Sequence, residues 1–111
     1  MTAVTSDTQA KITEVMNIHV RDYKRRANQM AEIAEAGLFP SNFESNAFTE
    51  ATLKAKGATA VLVMLPAKGN DHAAFVDHLN TYLAAVIISD APNSTLILKP
   101  FIEALTILEM E

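Results

Sequence analysis

The stretch Ala58-Thr59-Ala60-Val61-Leu62-Val63-Met64-Leu65 decides the fold, because it can be read in two ways. As helix, it closes a periodic face in which Phe48, Ala51, Ala55, Ala58, Leu62 and Leu65 recur at spacings of three and four, the repeat of one side of an α-helix. Either Ser41-x-x-Glu44 or Asn46 would cap that helix, which runs from about residue 47 to 65 in spite of Gly57. As strand, it starts after Gly57. Residues 60–65 are apolar on every side and include two β-branched valines, as in a strand buried on both faces. Periodicity over so short a run does not separate the two.

Downstream, Pro66-Ala67-Lys68-Gly69-Asn70 reads as a break. Asn70 or Asp71 then caps a third helix to about Ile88, with Phe75, Leu79, Tyr82, Leu83 and Val86 as its apolar stripe. A second break, Asp90-Ala91-Pro92-Asn93-Ser94, leads to a face traced by Ile97, Phe101, Ala104, Leu105 and Leu108. Pro100 leaves this segment open: it either kinks a helix begun at Ser94, or occupies the first turn of a short helix that follows a strand at 95–98. Two architectures result. The preferred one is all-α, a small four-helix bundle. The alternative is α/β, with strands near 59–65 and 95–98 flanking the third helix as a single βαβ unit, and two strands make only a marginal sheet.

Upstream, Ser6-x-x-Gln9 resembles a capping box and opens a helix over about 7–36. Its residues Ile12, Met16, His19, Tyr23, Ala27, Met30 and Ala34 align in one stripe, with Val15 and Ile33 beside it. This predicts a continuous core-facing surface. Gly37 is placed to end the helix in a left-handed cap, and Pro40 prevents its continuation. Gly37, Gly57 and Gly69 all read as punctuation.

The 111 residues fit one domain, residues 1–111, with 1–5 as candidates for disorder. Half the chain is apolar and a fifth is charged, which is the composition of a folded protein. Residues 1–68 hold eight basic and seven acidic side chains, whereas 69–111 hold Lys99 alone against six acids. The second part therefore repels phosphate backbones. The absence of cysteine removes disulfides, thiolate nucleophiles and cysteine metal sites. The first residues lack the pattern of a signal peptide, and no apolar run approaches the roughly 20 residues that span a bilayer. A cytoplasmic location is the expectation.

The local concentration of charge is Arg21-Asp22-Tyr23-Lys24-Arg25-Arg26, which contains all three arginines. Projected on a helix, Arg21, Lys24 and Arg25 face away from the apolar stripe, on the side that also carries Glu14, Glu32 and Glu35. That is a solvated, mixed-charge surface, and nucleic-acid recognition would require more positive area. Arg26 instead falls at the edge of the stripe, one turn after Asp22, at the favourable acid-before-base spacing. Asp22 and Arg26, flanked by His19 and Tyr23, form a candidate partner-binding edge. The simpler reading, and the one preferred, is that Arg26 lays its stem across the core and reaches water.

His72 and His78 project about 120° apart, so they do not converge on a metal; His19 reads as a hydrogen-bonded core or interface residue. Asp71, His72, Asp77 and His78 belong to no catalytic motif, and there is neither a P-loop nor a dinucleotide fingerprint. No cofactor is expected. Met16, Met30, Met64 and Met110 read as gap-fillers in the core. The last helix is apolar around most of its circumference, so one small bundle leaves part of it uncovered. Phe101 and Leu108 mark that expected second contact surface.

The preferred reading is thus a non-enzymatic protein acting through protein–protein contact, as a homo-oligomer or an accessory subunit. A nucleic-acid-associated regulator using Arg21, Lys24 and Arg25 is the alternative. A small α/β ligand-binding domain or enzyme is the third.

Overall fold

The computed structural model describes residues 3–68 and 70–110. It is all-α, with four helices and no strand among the described residues: α1 (Ser6–Glu35), α2 (Asn42–Lys68), α3 (His72–Ser89) and α4 (Ser94–Glu109), the last two joined through a 3-10 turn at Ala91–Asn93. Residues 59–65 and 95–98 both lie inside helices, so the βαβ alternative falls. Side-chain burial explains why. Ala51, Ala55, Ala58, Val61 and Leu65 are buried along α2 at helical spacing, and small side chains there let α4 pack closely against the same face.

The helix boundaries follow from local chemistry. Thr5 caps α1, accepting a hydrogen bond from the Thr8 amide, while the Gln9 side chain donates to the Val4 carbonyl at 2.9 Å. The cap therefore sits one residue before the expected Ser6. Of the five residues proposed for disorder, Val4 is buried in the core and Thr5 is the cap. Met1, Thr2, Gly69 and Glu111 lie outside the described residues, and with Gly69 its reading as punctuation.

At the far end of α1, Gly37 adopts φ +71°. Its amide donates to the Ala34 carbonyl at 3.0 Å, and the Leu38 amide donates to Ile33 at 3.1 Å. This is the paired bonding of a Schellman cap, which requires a left-handed residue at that position. Ser41 then caps α2 in a reciprocal box. The Glu44 amide donates to Ser41 Oγ at 3.1 Å, and the Ser41 amide donates to Glu44 Oε1 at 2.9 Å. That choice over Asn46 starts α2 five residues earlier than expected. Asp71 caps α3 through the amides of Ala73 and Ala74.

Two prolines lie within helices rather than ending them. Pro66 is in the last turn of α2, where its missing N–H forfeits only one hydrogen bond. Pro100 is buried inside α4, which begins at Ser94.

α2 and α4 form the central pair, with α1 on one flank and α3 on the other. The core combines Ile12 and Met16 of α1, Val61 and Leu65 of α2, Phe75 and Leu79 of α3, and Ile97, Phe101, Ala104 and Leu108 of α4. Tyr82 stacks on Phe101, ring centroids 5.1 Å apart. The buried residues of α1 are Thr8, Ile12 and Met16, all in its first half.

The continuous core-facing surface expected of α1 is thus corrected: Tyr23, Ala27, Met30 and Ile33 are half-buried and Ala34 is exposed. At 1.5 Å per residue α1 is about 45 Å long and α4 about 24 Å, so the far ends of α1 and α2 project as a two-helix hairpin. The molecule measures 56 × 30 × 21 Å, and its radius of gyration is 15.9 Å, against about 13 Å for a compact chain of this length.

Candidate functional site: a rigid apolar tip and an open groove

The projecting hairpin ends in Leu38, Phe39 and Phe43, which are 65%, 94% and 80% exposed. A Schellman cap on one side, a capping box on the other and Pro40 between them hold this turn in place. Three large apolar side chains are thereby presented on a backbone that has little freedom left to lose. Such preorganisation is what lowers the cost of binding. Glu35 and Glu44 flank the turn. The Ser41 amide and hydroxyl hold the Glu44 carboxyl below its ordinary pKa.

A second apolar feature runs between α1 and α4. A groove of about 440 Å³ is lined by Val15, Ile18, Ile107 and Met110, with Lys11 and Glu14 at its rim. It continues over Val15 and Ile107 to Ile102 and Thr106. Ile18, Ile102 and Met110 are 52%, 55% and 82% exposed. Few polar groups converge here, so the groove suits apolar side chains better than a polar small molecule.

The residues expected to form contact surfaces are placed differently. Phe101 and Leu108 are core residues, 0% and 4% exposed, because α2 and α3 both pack on that side of α4. The uncovered remainder of α4 is Ile102, with Ile107 half-buried beside it. His19 Nε2 lies 2.7 Å from Glu103 Oε1 and ties α1 to α4; a carboxylate only accepts, so the histidine nitrogen donates. Tyr23 stacks on Phe48 of α2 at 5.9 Å.

Asp22 accepts from Arg25 at 2.7 Å and from Arg26 at 3.3 Å. The Arg25 hydrogen bond is the main reason the Asp22 carboxyl lies below its ordinary pKa, with Arg26 adding to it against partial desolvation. Asp22, Arg26, His19 and Tyr23 are therefore all engaged within the chain. Arg21, Lys24 and Arg25 are exposed as projected, and Arg25 shares the Asp22 carboxylate with Arg26.

Sequence reasoning missed the tip. The available signal was the position of Leu38 and Phe39 between the Gly37 cap and the Ser41 box, which leaves them outside any helix, with Phe43 in the first turn of α2. Among the described residues, no three His, Asp or Glu side chains group as a metal site, and no helix is long and apolar enough to cross a membrane. Met16 is buried as a gap-filler, whereas Met110 is exposed at the groove. Comparison with family models, with curated proteins and with solved structures gave no match.

Proposed function

We propose that this chain is a non-enzymatic interaction protein of the cytoplasm that works by self-association through its helix faces. The observation that carries this reading is the capped tip: Leu38, Phe39 and Phe43 stand exposed at a turn held by a Schellman cap and a capping box. Solvent exposure of three large apolar side chains on one short turn is unfavourable unless another surface covers them. Aromatic anchors on preorganised backbone are the usual centres of binding energy. The α1/α4 groove at the opposite end of the hairpin supplies an apolar surface of the same chain.

The test is the molar mass in solution over a wide concentration range, by light scattering or sedimentation equilibrium. A mass that rises from one chain to two or more, and persists at high salt, is the expected result. A strict monomer at every concentration overturns the proposal. Affinity for nucleic acid would instead collapse with salt, because counterion release governs it.

A further inference from the structure

Resting on that self-association, we infer that two copies pair antiparallel along α1, about a twofold axis at Asn28, so that the tip of each lies against Ile18 at the edge of the α1/α4 groove of the other. The charge pattern of α1 selects this register. Arg21, Lys24, Asn28, Glu32 and Glu35 succeed one another at spacings of three and four, so they share one face, and all five are exposed. Among the described residues, Arg21, Lys24, Glu32 and Glu35 form no ion pair within the chain.

The basic residues precede Asn28 and the acidic ones follow it at matching distances. An antiparallel copy centred there sets Arg21 against Glu35 and Lys24 against Glu32, and the twofold repeats both pairs. A parallel copy would set each charge against its own kind. An isologous contact needs this self-complementarity, and like-charge juxtaposition is what rejects other registers.

The apolar features fall into place in the same register. Ile18 and Leu38 stand equally far in sequence from Asn28. At 1.5 Å per residue Ile18 is about 15 Å along the helix from the axis, and the partner's tip begins just beyond its Glu35. Leu38 of one copy thus comes level with Ile18 of the other, which stands exposed at the edge of the groove. The pairing brings the tip of each copy onto Ile18 of the other and closes after two chains. Exposed ion pairs contribute little to affinity and are screened by salt, so the charges set the register and the tip holds the dimer.

The chain contains no cysteine, so one introduced thiol reports on one contact. Asn28→Cys, mildly oxidised, is expected to give a covalent dimer on a non-reducing gel, whereas Glu50→Cys on the exposed surface of α2 stays monomeric. Reversing Arg21 and Lys24 to Glu should weaken association at least about tenfold at low salt. Reversing Glu32 and Glu35 to Lys should do the same. The fourfold variant, in which every pair is restored with opposite sign, should recover it. All five positions are exposed, so folding survives and circular dichroism verifies it.

A dimer in which N28C stays unlinked, in which neither reversal weakens association, or in which the fourfold variant is no better than its parents overturns this geometry and leaves self-association standing. Assemblies that grow beyond two chains overturn it as well, since a tip entering a groove without the twofold would propagate. A protein that never exceeds one chain overturns both proposals.

Discussion

Gly57 of α2 lies directly against the Ile97 carbonyl of α4: a Cβ at Gly57 would overlap that oxygen and come within 3.3 Å of Pro100 Cγ. The two residues that most oppose helix formation in this chain, a mid-helix glycine and a mid-helix proline, thus meet at one helix crossing. Glycine's missing side chain allows the approach. Gly57→Ala is expected to destabilise the fold by about 1–3 kcal/mol, the usual cost of overpacking a core, even though alanine gains about 1 kcal/mol in helix propensity. Chemical denaturation followed by circular dichroism measures the sign. A stabilised variant would show that α2 and α4 do not approach so closely.

That contact also marks where the sequence stops being legible. Much of the apolar stripes can be read from spacing, and Ile12, Met16, Phe75, Leu79, Ile97, Phe101 and Leu108 are core residues as the stripes require, whereas Val61 takes the core place expected of Leu62 in α2, and Tyr82 of the α3 stripe is exposed. The Asp22–Arg26 pair is likewise readable from its i,i+4 spacing, and the structure contains it. Spacing within one helix says nothing, however, about which neighbour covers each turn. The stripe of α1 looks uniform from Ile12 to Ala34, yet α4 is too short to cover its second half. Gly57 reads as punctuation because its role depends on a backbone forty residues away. Phe39 of the tip escapes notice because it belongs to no helical period, and Phe43 because α2 begins earlier than its expected start near residue 47.

Phe101 and Phe39 are chemically identical and should behave oppositely. Phe101 is fully buried and stacked on Tyr82, so Phe101→Ala should cost about 3–5 kcal/mol, a large part of the roughly 5–15 kcal/mol by which a domain is stable. Phe39→Ser should change monomer stability by less than about 0.5 kcal/mol, as surface substitutions do, while weakening self-association. Denaturation midpoints together with molar mass separate the two effects. Equal stability losses would refute the placement of the tip.

The His19–Glu103 hydrogen bond should couple α1 to α4. Both side chains are partly exposed, at 15% and 34%, so the interaction is worth about 1 kcal/mol rather than the larger value of a fully buried charged contact. A double-mutant cycle with His19→Ala and Glu103→Ala isolates it. A coupling near zero, with the two single losses simply adding, would mean that packing alone holds the helices together there.

Acid should expose the two carboxyls that the fold holds below their ordinary pKa. Asp22 is lowered chiefly by its hydrogen bond to Arg25 and Glu44 chiefly by the Ser41 amide. A group whose pKa is lower folded than unfolded contributes stability that is complete above the unfolded value, about 4 for a carboxylate. That contribution is lost as pH falls through the folded value. Both groups therefore steepen the decline of stability below about pH 4 and contribute no slope near neutrality. Asp22→Asn should lower stability at pH 7 by less than about 1 kcal/mol, because this pair is open to solvent, and should flatten the acid limb. Glu44→Gln keeps an acceptor for the capping box and removes the titration, so it should flatten the same limb while leaving the cap in place. The measurement is the thermal midpoint of each variant against pH. Acid limbs that run parallel to the parent's in both variants would mean that neither carboxyl is linked to folding.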